Sequence, residues 1–401
     1  MCSRLETSRA LTRPCPQCSG RRGRELSRLR FQGFDDSPLA GAFSLAVCAE
    51  CGAAFYDTPS QQSDYDRYYR GNAYYFTSAA SGSGGATPAD RRRFAELARR
   101  LVPYLPRQDA AIFDVGCAKG GLLAVLAEHG HTRLYGVDLM PACIDYVRNH
   151  LGLAADFGSA LDLPFPEVRA DVLIYSHIVE HVIDLPALLA AAREKLSDQG
   201  LVYVEVPDAS RYGENSRYPY RDLYLEHVNH FDRDTLVGQF QAGGFSLVSS
   251  GGFLLEPLPQ GPVPCLWAIF RRGDEQKRTA SNGLEGRLRD YLAWSRQHPA
   301  LGKIAQLAWQ QTPLYLWGLS QYAMLLLGQT DLGRCALQGL VDQDPYKQQR
   351  TVGGRPIHAP EVLREADPRA AVLVTALGYE DQIAAALEEM GFRGLVVTTA
   401  G

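Results

Sequence analysis

Short apolar runs alternate with amphipathic segments through the middle of the chain, from about residue 88 to residue 207. Apolar runs of about four to eight residues are typical of buried strands, and apolar positions repeating every three or four residues are typical of helices. Thr87, Pro88 and Asp90 have the arrangement of a helix start. The pattern predicts strands over 111–115, 133–137, 172–175 and 201–206, and helices over 88–102, 121–128, 141–150 and 186–196.

The same alternation begins again near the end of the chain. It predicts strands over 314–317, 336–341, 371–375 and 394–398, with helices between them. Alternating strands and helices are the signature of a parallel sheet covered by helices, so we predict an α/β fold with two such units. The prolines, charges and Asn282-Gly283 between the two units predict a connector with a helix near residues 284–295.

The overall composition is that of a soluble globular protein. The chain has 401 residues, of which 46% are hydrophobic and 21% charged, and a formal net charge of -4. This balance excludes disordered, collagen-like and coiled-coil chains and argues against a dedicated nucleic-acid-binding protein. The first thirty residues contain eight arginines, so a basic end that contacts RNA or DNA stays open as an alternative. We see neither a secretory signal nor a membrane span and expect a cytoplasmic protein.

Two Cys-x-x-Cys pairs lie near the N-terminus, Cys15 with Cys18 and Cys48 with Cys51. Each tight turn directs two thiolates at one ion, and two such pairs supply the four sulfur ligands of a tetrahedral zinc site. Free thiols or a disulfide pair are the alternative. A closed four-thiolate site has no open position for water, so its expected role is in folding.

A glycine-rich loop follows the first predicted strand and contains Asp114, Gly116 and Gly120. Glycines let the backbone approach a ligand closely, and the helix that follows offers unpaired N–H groups at its N-terminus. Asp138 ends the second strand, where a carboxylate suits two hydrogen bonds to ribose hydroxyls. These residues predict a nucleoside-type cofactor at the carboxyl edge of the sheet.

Together these motifs resemble the class I methyltransferases that use S-adenosylmethionine (SAM), whose loop is an acidic residue followed by Gly-x-Gly-x-Gly. Ala118 stands here for the middle glycine, and the resemblance covers about residues 88–250. The rival interpretation, a nicotinamide dehydrogenase, needs a Gly-x-Gly-x-x-Gly spacing that this loop lacks. The resemblance implies SAM as cofactor, with Asp114, Gly116 and Gly120 at its methionine end, Asp138 at the ribose, and Ser159 and Ala160 at the adenine.

The best candidates for catalysis lie beyond the fifth predicted element of the sheet, in Tyr224-Leu-Glu226-His227. Histidine accepts a proton near neutral pH, and a neighbouring carboxylate or phenol can orient it. The alternative is that Glu226 and His227 only brace a loop through backbone hydrogen bonds. Glu180 and His181 carry the same two interpretations, and a metal site at His177 and His181 lacks further ligands.

A narrower resemblance covers nearly the whole chain. The four-cysteine module, the SAM motifs, Tyr224-x-Glu226-His227 and a C-terminal segment from Val341 to Ile357 are similar to the nucleotide-sugar C-methyltransferases of deoxysugar pathways. It implies a nucleotide-linked 4-keto sugar as acceptor, with His227 as the base that forms an enolate and Glu226 and Tyr224 orienting or polarising. The residues implied around the sugar are Tyr224, Glu226, His227, His181 and either Tyr74 or Tyr75.

With this resemblance the chain divides into four parts. We predict a zinc-binding module with an aromatic connector over 1–75, a methyltransferase domain over 76–255, a connector over 256–300 and a C-terminal α/β substrate-binding domain over 301–401. Two other functions stay open: an O- or N-methyltransferase acting on another sugar or small metabolite, and a non-catalytic zinc-containing binding protein.

Overall fold

The computed structural model describes residues 8–71, 87–256, 258–276 and 283–400. Three sheets organise this part of the chain, with five, seven and six strands. Two of them are the helix-covered units that the sequence predicts, so the α/β fold class is confirmed. No helix in the described ranges has both the length and the apolar character needed to cross a bilayer.

The N-terminal sheet is antiparallel and contains both cysteine pairs at its end. Its strands, in the order β1-β2-β3-β4-β10, are β1 (Arg9–Ala10), β2 (Arg22–Arg30), β3 (Ala42–Cys48), β4 (Ala54–Asp57) and β10 (Asn229–His230). The stretch between the two cysteine pairs forms the long strands β2 and β3, which were not predicted from the sequence. Helix α1 (Gln62–Gly71) follows and contains the first tyrosines of the aromatic segment. Since β10 comes from a distant part of the chain, this sheet reaches into the middle domain.

The middle sheet has the order β11-β12-β9-β8-β5-β6-β7. Its strands are β5 (Ala111–Val115), β6 (Arg133–Asp138), β7 (Ala154–Phe157), β8 (Ala170–Ser176), β9 (Leu196–Pro207), β11 (Phe245–Leu255) and β12 (Val263–Arg272). Its helices are α2 (Pro88–Leu101), α3 (Gly121–Glu128), α4 (Pro141–Tyr146), α5 (Leu185–Lys195) and α6 (Arg233–Ala242). Thr87 caps α2 as predicted, because its hydroxyl accepts a hydrogen bond from the amide of Asp90 at 3.1 Å.

Strand β12 lies inside the range that we expected to be a connector. It pairs antiparallel with both β9 and β11, so the middle sheet continues to Arg272. The prolines at 257, 259, 262 and 264 suggested an irregular segment. Yet Cys265, Ala268 and Phe270 are buried in the sheet, because packing against two neighbours outweighs the weak local strand signal.

The C-terminal sheet has the order β15-β16-β14-β13-β17-β18, parallel from β16 to β18. Its strands are β13 (Leu314–Trp317), β14 (Leu337–Val341), β15 (Thr351–Val352), β16 (Arg355–His358), β17 (Ala371–Val374) and β18 (Leu395–Thr398). Its helices are α7 (Leu284–Gln297), α8 (Pro299–Gln310), α9 (Gln321–Gln329), α10 (Pro345–Gln348) and α11 (Glu380–Glu389). Helix α8 was not predicted from the sequence.

One hydrophobic core joins the N-terminal sheet to the C-terminal domain. Leu29 and Tyr56 of the N-terminal sheet and Leu316 of β13 belong to the same cluster of buried side chains. The backbone amide of Gln32 also donates to the carbonyl of Met324 at 2.9 Å. These two parts of the chain are therefore packed on each other, and the segment around β10 lies against them.

Candidate active site

The glycine-rich loop connects β5 to α3 and has left-handed backbone at three positions. Gly116 and Gly120 have φ of 77° and 72°, and Ala118 has φ of 45°. This conformation costs about 1–2 kcal/mol for a residue with a Cβ, so Ala118 holds the loop shape under strain. A Cβ on Gly116 would collide with Ile178, which places the loop directly against the segment that follows β8.

Two carboxylates lie at the same edge of the sheet. Asp138 accepts hydrogen bonds from the amides of Ala118 at 2.9 Å and Met140 at 2.8 Å. Burial raises the pKa of Asp138, and burial together with the charge of Asp138 raises the pKa of Asp114 to about 7. Asp114 is buried and Asp138 half-buried, and this pair favours a cationic ligand, because a positive charge stabilises the ionised forms of both.

Ser159 and Ala160 lie in the loop that follows β7. The Ser159 hydroxyl accepts from the amides of Leu161 at 3.1 Å and Asp162 at 3.2 Å, so it shapes a tight turn. Ala160 is buried in the core of the sheet. The amide of Gly158 donates to the carbonyl of Asp138 at 3.1 Å. The structure therefore brings the predicted adenine loop next to the predicted ribose carboxylate.

A second group of polar side chains forms around His227. The rings of His181 and His227 are nearly perpendicular, with centroids 4.8 Å apart, and the ring of Tyr224 lies 4.7 Å from that of His227. Within the described ranges, the buried Nδ1 of His227 has no hydrogen-bond partner. An imidazole nitrogen without a protein partner is available to a ligand or to a proton.

Asn229 holds the two halves of this group together. Its amide nitrogen donates to the carbonyls of Val179 at 3.1 Å and Val182 at 2.7 Å. These carbonyls flank Glu180 and His181, whereas Asn229 comes two residues after His227. Asn229 also begins β10, where it pairs with Phe55 of β4. The N-terminal sheet and the loop after β8 are thereby fixed around His227.

Arg13 supports the same junction from the N-terminal module. Its guanidinium donates to the carbonyls of Tyr56 at 3.0 Å, Ile183 at 3.3 Å and Val228 at 3.5 Å. The side chain is buried, and burial lowers its pKa to about 10. Arg13 is one of the eight N-terminal arginines, and its role is thus internal packing rather than display of a basic surface.

Tyr69 is the tyrosine of the aromatic segment that the structure brings to the site. Its hydroxyl lies 2.7 Å from Nδ1 of His181. We predicted Tyr74 or Tyr75 for this region, and both lie outside the described residues. Helical periodicity could have identified Tyr69. Tyr65 and Tyr68 lie on the buried face of α1, and Tyr69 lies at the edge of that face.

Residues 89–250 match a family described as a methyltransferase domain. The chain therefore contains a methyltransferase domain over these residues. A ubiquinone biosynthesis O-methyltransferase of Cereibacter sphaeroides is 37% identical over 113 residues, which are 27% of this chain and 45% of that protein. Its namesake in Azorhizobium caulinodans is 33% identical over 118 residues, which are 28% of this chain and 45% of that protein.

The chain thus spans less than half the length of these relatives. Among solved structures, the 1,6-didemethyltoxoflavin-N1-methyltransferase of Burkholderia thailandensis, with S-adenosylhomocysteine bound, is 20% identical. The match covers 56% of this chain and 97% of that chain, with a TM-score of 0.41.

Burial determines the charge states of His227 and Tyr224. It lowers the pKa of His227 well below the usual value, and the neighbouring His181 and His230 lower it further. Burial also raises the pKa of Tyr224 to about 12. At neutral pH His227 is therefore an uncharged imidazole and Tyr224 an uncharged phenol, so one can accept a proton while the other donates a hydrogen bond.

Glu226 is oriented by the C-terminal domain. Its Oε1 accepts a hydrogen bond from the side-chain amide of Gln321, whose own oxygen accepts from the amide of Leu225 at 2.8 Å. Gln321 is the first residue of α9. The sequence gives no sign of this partnership, because the two residues are 95 positions apart.

The four cysteines Cys15, Cys18, Cys48 and Cys51 form one cluster, with all their sulfur atoms within 4.8 Å of one another. The sulfurs of Cys15 and Cys51 are 3.7 Å apart, and those of Cys18 and Cys48 are 3.5 Å apart. Thiolates at 2.3 Å from one tetrahedral zinc ion lie about 3.8 Å apart. The cluster is therefore compatible with zinc, and no disulfide joins its four cysteines.

Proposed function

We propose that the enzyme methylates carbon in a nucleotide-linked keto-sugar through an enolate, with His227 as the general base. The observation that carries the proposal is the placement of an uncharged, unpartnered imidazole nitrogen beside Tyr224 and His181. The loop containing His181 touches the glycine-rich loop through Ile178. The base and the cofactor edge are thus neighbours.

SAM fits the glycine-rich edge of the domain. The left-handed Gly116 and Gly120 keep the loop backbone free of side chains, and the buried Asp114 and half-buried Asp138 supply negative charge for a cationic ligand. Asp114, Gly116 and Gly120 would hold its methionine end, Asp138 its ribose, and the loop at Ser159 and Ala160 its adenine. The cofactor supplies an electrophilic methyl group when it is bound.

His227 would remove a proton from the carbon beside the sugar carbonyl. The C–H bond breaks, the proton passes to a ring nitrogen of His227, and the electron pair moves to the carbonyl oxygen as the enolate forms. The Tyr224 hydroxyl, protonated at neutral pH, can donate a hydrogen bond to that oxygen. Glu226, held by Gln321, would orient the acceptor sugar. His181 would line the opposite side of that sugar.

Zinc is the proposed occupant of the four-cysteine cluster. The sulfur spacing matches a tetrahedral site, and all four thiolates would be ligands, so the ion would act in folding rather than in catalysis. Its role would be to hold the end of the sheet from which β3 and β4 extend to β10 and the catalytic segment.

The C-terminal domain would bind the nucleotide part of the substrate. Its parallel strands have the order β16-β14-β13-β17-β18. β14 and β16 are added on one side of β13, and β17 and β18 on the other, so the strand order reverses between β13 and β17. Ligands of such sheets bind beyond the carboxyl ends of the strands at this reversal. The loop after β13 leads to Gln321, which contacts Glu226, so a ligand at this edge lies toward the proposed catalytic segment.

The first test is hydrogen exchange in heavy water with a panel of nucleotide-linked 4-keto sugars, without SAM, followed by mass spectrometry. We expect uptake of one deuterium beside the carbonyl and a fall of about 10²–10⁴-fold in its rate in His227→Ala. His150→Asn, at an exposed histidine, is the matched control and should exchange like the wild type. Exchange in His227→Ala within about tenfold of the wild type contradicts the assignment of the base.

A second candidate function is O-methylation of another small metabolite. It is favoured by the similarity to ubiquinone biosynthesis O-methyltransferases over 113 residues of the domain. Here His227 would take the proton of a hydroxyl group. Absence of deuterium uptake with every sugar, in protein that binds SAM by calorimetry, would favour this function over C-methylation.

A further inference from the structure

Glu180 is a buried carboxylate whose surroundings within the described ranges contain histidines but no lysine or arginine at ion-pair distance. Its side chain is 1% exposed. Oε1 lies 3.1 Å from Nδ1 of His177 and 3.9 Å from Nε2 of His181, whereas Oε2 has no hydrogen-bond partner among the described residues. A buried carboxylate needs a cation or several hydrogen bonds to offset the loss of hydration.

His227 completes a set of three ligand atoms. One oxygen of Glu180 and one nitrogen each of His181 and His227 lie within 4.8 Å of one another. In the sequence alone, a metal site at His177 and His181 lacks further ligands. The structure changes that picture, since His227 comes from a segment 46 positions beyond His181.

We propose that Glu180, His181 and His227 bind one divalent transition-metal ion. Two imidazoles and one carboxylate are a ligand set that suits zinc, cobalt or ferrous iron and leaves a coordination position open. Ligand atoms around such an ion lie about 3.3 Å apart, so the separations of these three atoms must shorten by at most about 1.5 Å to close the site.

The neighbouring residues support metal binding by the same three side chains. The Tyr69 hydroxyl lies 2.7 Å from Nδ1 of His181, which leaves Nε2, the nitrogen nearer Glu180, as the ligand atom. Partners of this kind orient metal-binding histidines. His177 contacts Glu180 from a left-handed backbone with φ of 56°. Such strain is found where surrounding structure holds a residue for a function.

Metal and substrate then compete for His227. A neutral imidazole has one nitrogen lone pair, because its other nitrogen carries a proton. When that lone pair binds a metal ion, His227 cannot accept the substrate proton. The metal-loaded enzyme is therefore inhibited, a consequence that rests on the proposed base function, whereas the metal site itself does not.

The test is a titration of the zinc-loaded full-length enzyme with Co²⁺, read by absorption spectroscopy without substrate. We expect one equivalent of Co²⁺ to bind with d–d bands and without a thiolate-to-cobalt charge-transfer band, which separates this site from the cysteine cluster. Glu180→Gln and His181→Asn should each weaken binding about tenfold or more, and His150→Asn should leave it unchanged. Absence of binding to the wild type, or equal binding to all three variants, overturns the site.

The competition between metal and substrate for His227 is measured separately. Bound Co²⁺ should suppress deuterium uptake from the keto-sugar in proportion to its occupancy, and a chelator that leaves the cysteine-bound zinc in place should restore it. Full exchange at full cobalt occupancy overturns the competition. If metal-free enzyme exchanges with no sugar, the proposed function fails, while the cobalt titration still decides the metal site. His181→Asn, at a partly buried position, tests the ligand set if Glu180→Gln does not fold.

Discussion

The proposed cofactor edge, from Asp114 to Ala160, and the histidine group are two polar sites of this chain that are built in opposite ways. The cofactor edge comes from one continuous stretch, Asp114 to Ala160, on three neighbouring parallel strands. The histidine group combines Tyr69, His181 and His227 from three separate segments. A site made by consecutive strand ends depends on local geometry, whereas a site made by distant segments depends on the packing between them.

Supporting residues differ in the same way. At the cofactor edge, backbone amides such as that of Ala118 fix Asp138 from within the sheet. At the histidine group, Asn229, Arg13 and Gln321 reach across from other parts of the fold. Removing a supporting residue should therefore affect one site and spare the other.

Cys48→Ser should produce the largest difference between the two sites. Loss of one thiolate removes the proposed zinc, whose binding in small modules is worth about 10–16 kcal/mol in apparent terms, and with it the anchor of β3 and β4. Zinc content and solubility should fall together, while the middle sheet keeps its own core. Metal analysis and SAM calorimetry on the soluble fraction make the measurement.

Cys335→Ser is the matched control for this change. Cys335 is also a buried free thiol, and it lies outside the cysteine cluster. It should keep its zinc and its activity. A stable, zinc-free Cys48→Ser protein with wild-type turnover would show that the cluster has no structural role.

An intermediate effect is expected for Gly116→Ala at the cofactor edge. The new Cβ meets Ile178, so overpacking of about 1–3 kcal/mol adds to the left-handed strain of about 1–2 kcal/mol. SAM affinity should fall, as measured by calorimetry. Gly152→Ala has a similar φ of 65° and open space around it, so it should lose some thermal stability and keep SAM affinity. Equal affinities in the two variants would contradict the steric argument.

The smallest effect is expected for Asn229→Ala, which alters the support of the histidine group alone. The change leaves the buried carbonyls of Val179 and Val182 without their donor, at a cost of about 1–3 kcal/mol. Turnover should fall because His181 and His227 lose their fixed spacing, while SAM affinity stays the same. Steady-state kinetics and calorimetry check both. Asn229→Asp places carboxylate oxygens against the two carbonyl oxygens, so it should lower turnover at least as much as Asn229→Ala. Unchanged turnover in both variants would remove Asn229 from the support of the site.

Most strands and helices of the two parallel units were predictable from the sequence. β5 and α3 have the predicted bounds, and α2 begins at the predicted cap. The errors lie where tertiary contacts decide the structure. β12 contains Pro264 and follows three further prolines, and it becomes a strand because β9 and β11 pair with it on both sides. In the same way, β2 and β3 stabilise each other across the module.

The residues of the candidate site also fall into a predictable and an unpredictable group. Asp114, Gly116, Gly120 and Asp138 lie next to one another because parallel strands end at one edge, and a sequence pattern is enough to place them. Tyr224, Glu226 and His227 could be named from their motif. Their partners Tyr69 and Gln321 could not, since hydrogen bonds between distant segments leave no periodic signal in the chain.

The two α/β units, the methyltransferase motifs and the four-cysteine pattern can be identified from the chain alone, because hydrophobic period, turn residues and ligand spacing act over short distances. The meeting of Glu180, His181 and His227, the burial of Arg13 and the contact of the C-terminal domain with Glu226 become visible only in the folded chain. These contacts depend on how three sheets pack together, and many distant residues set that packing at once.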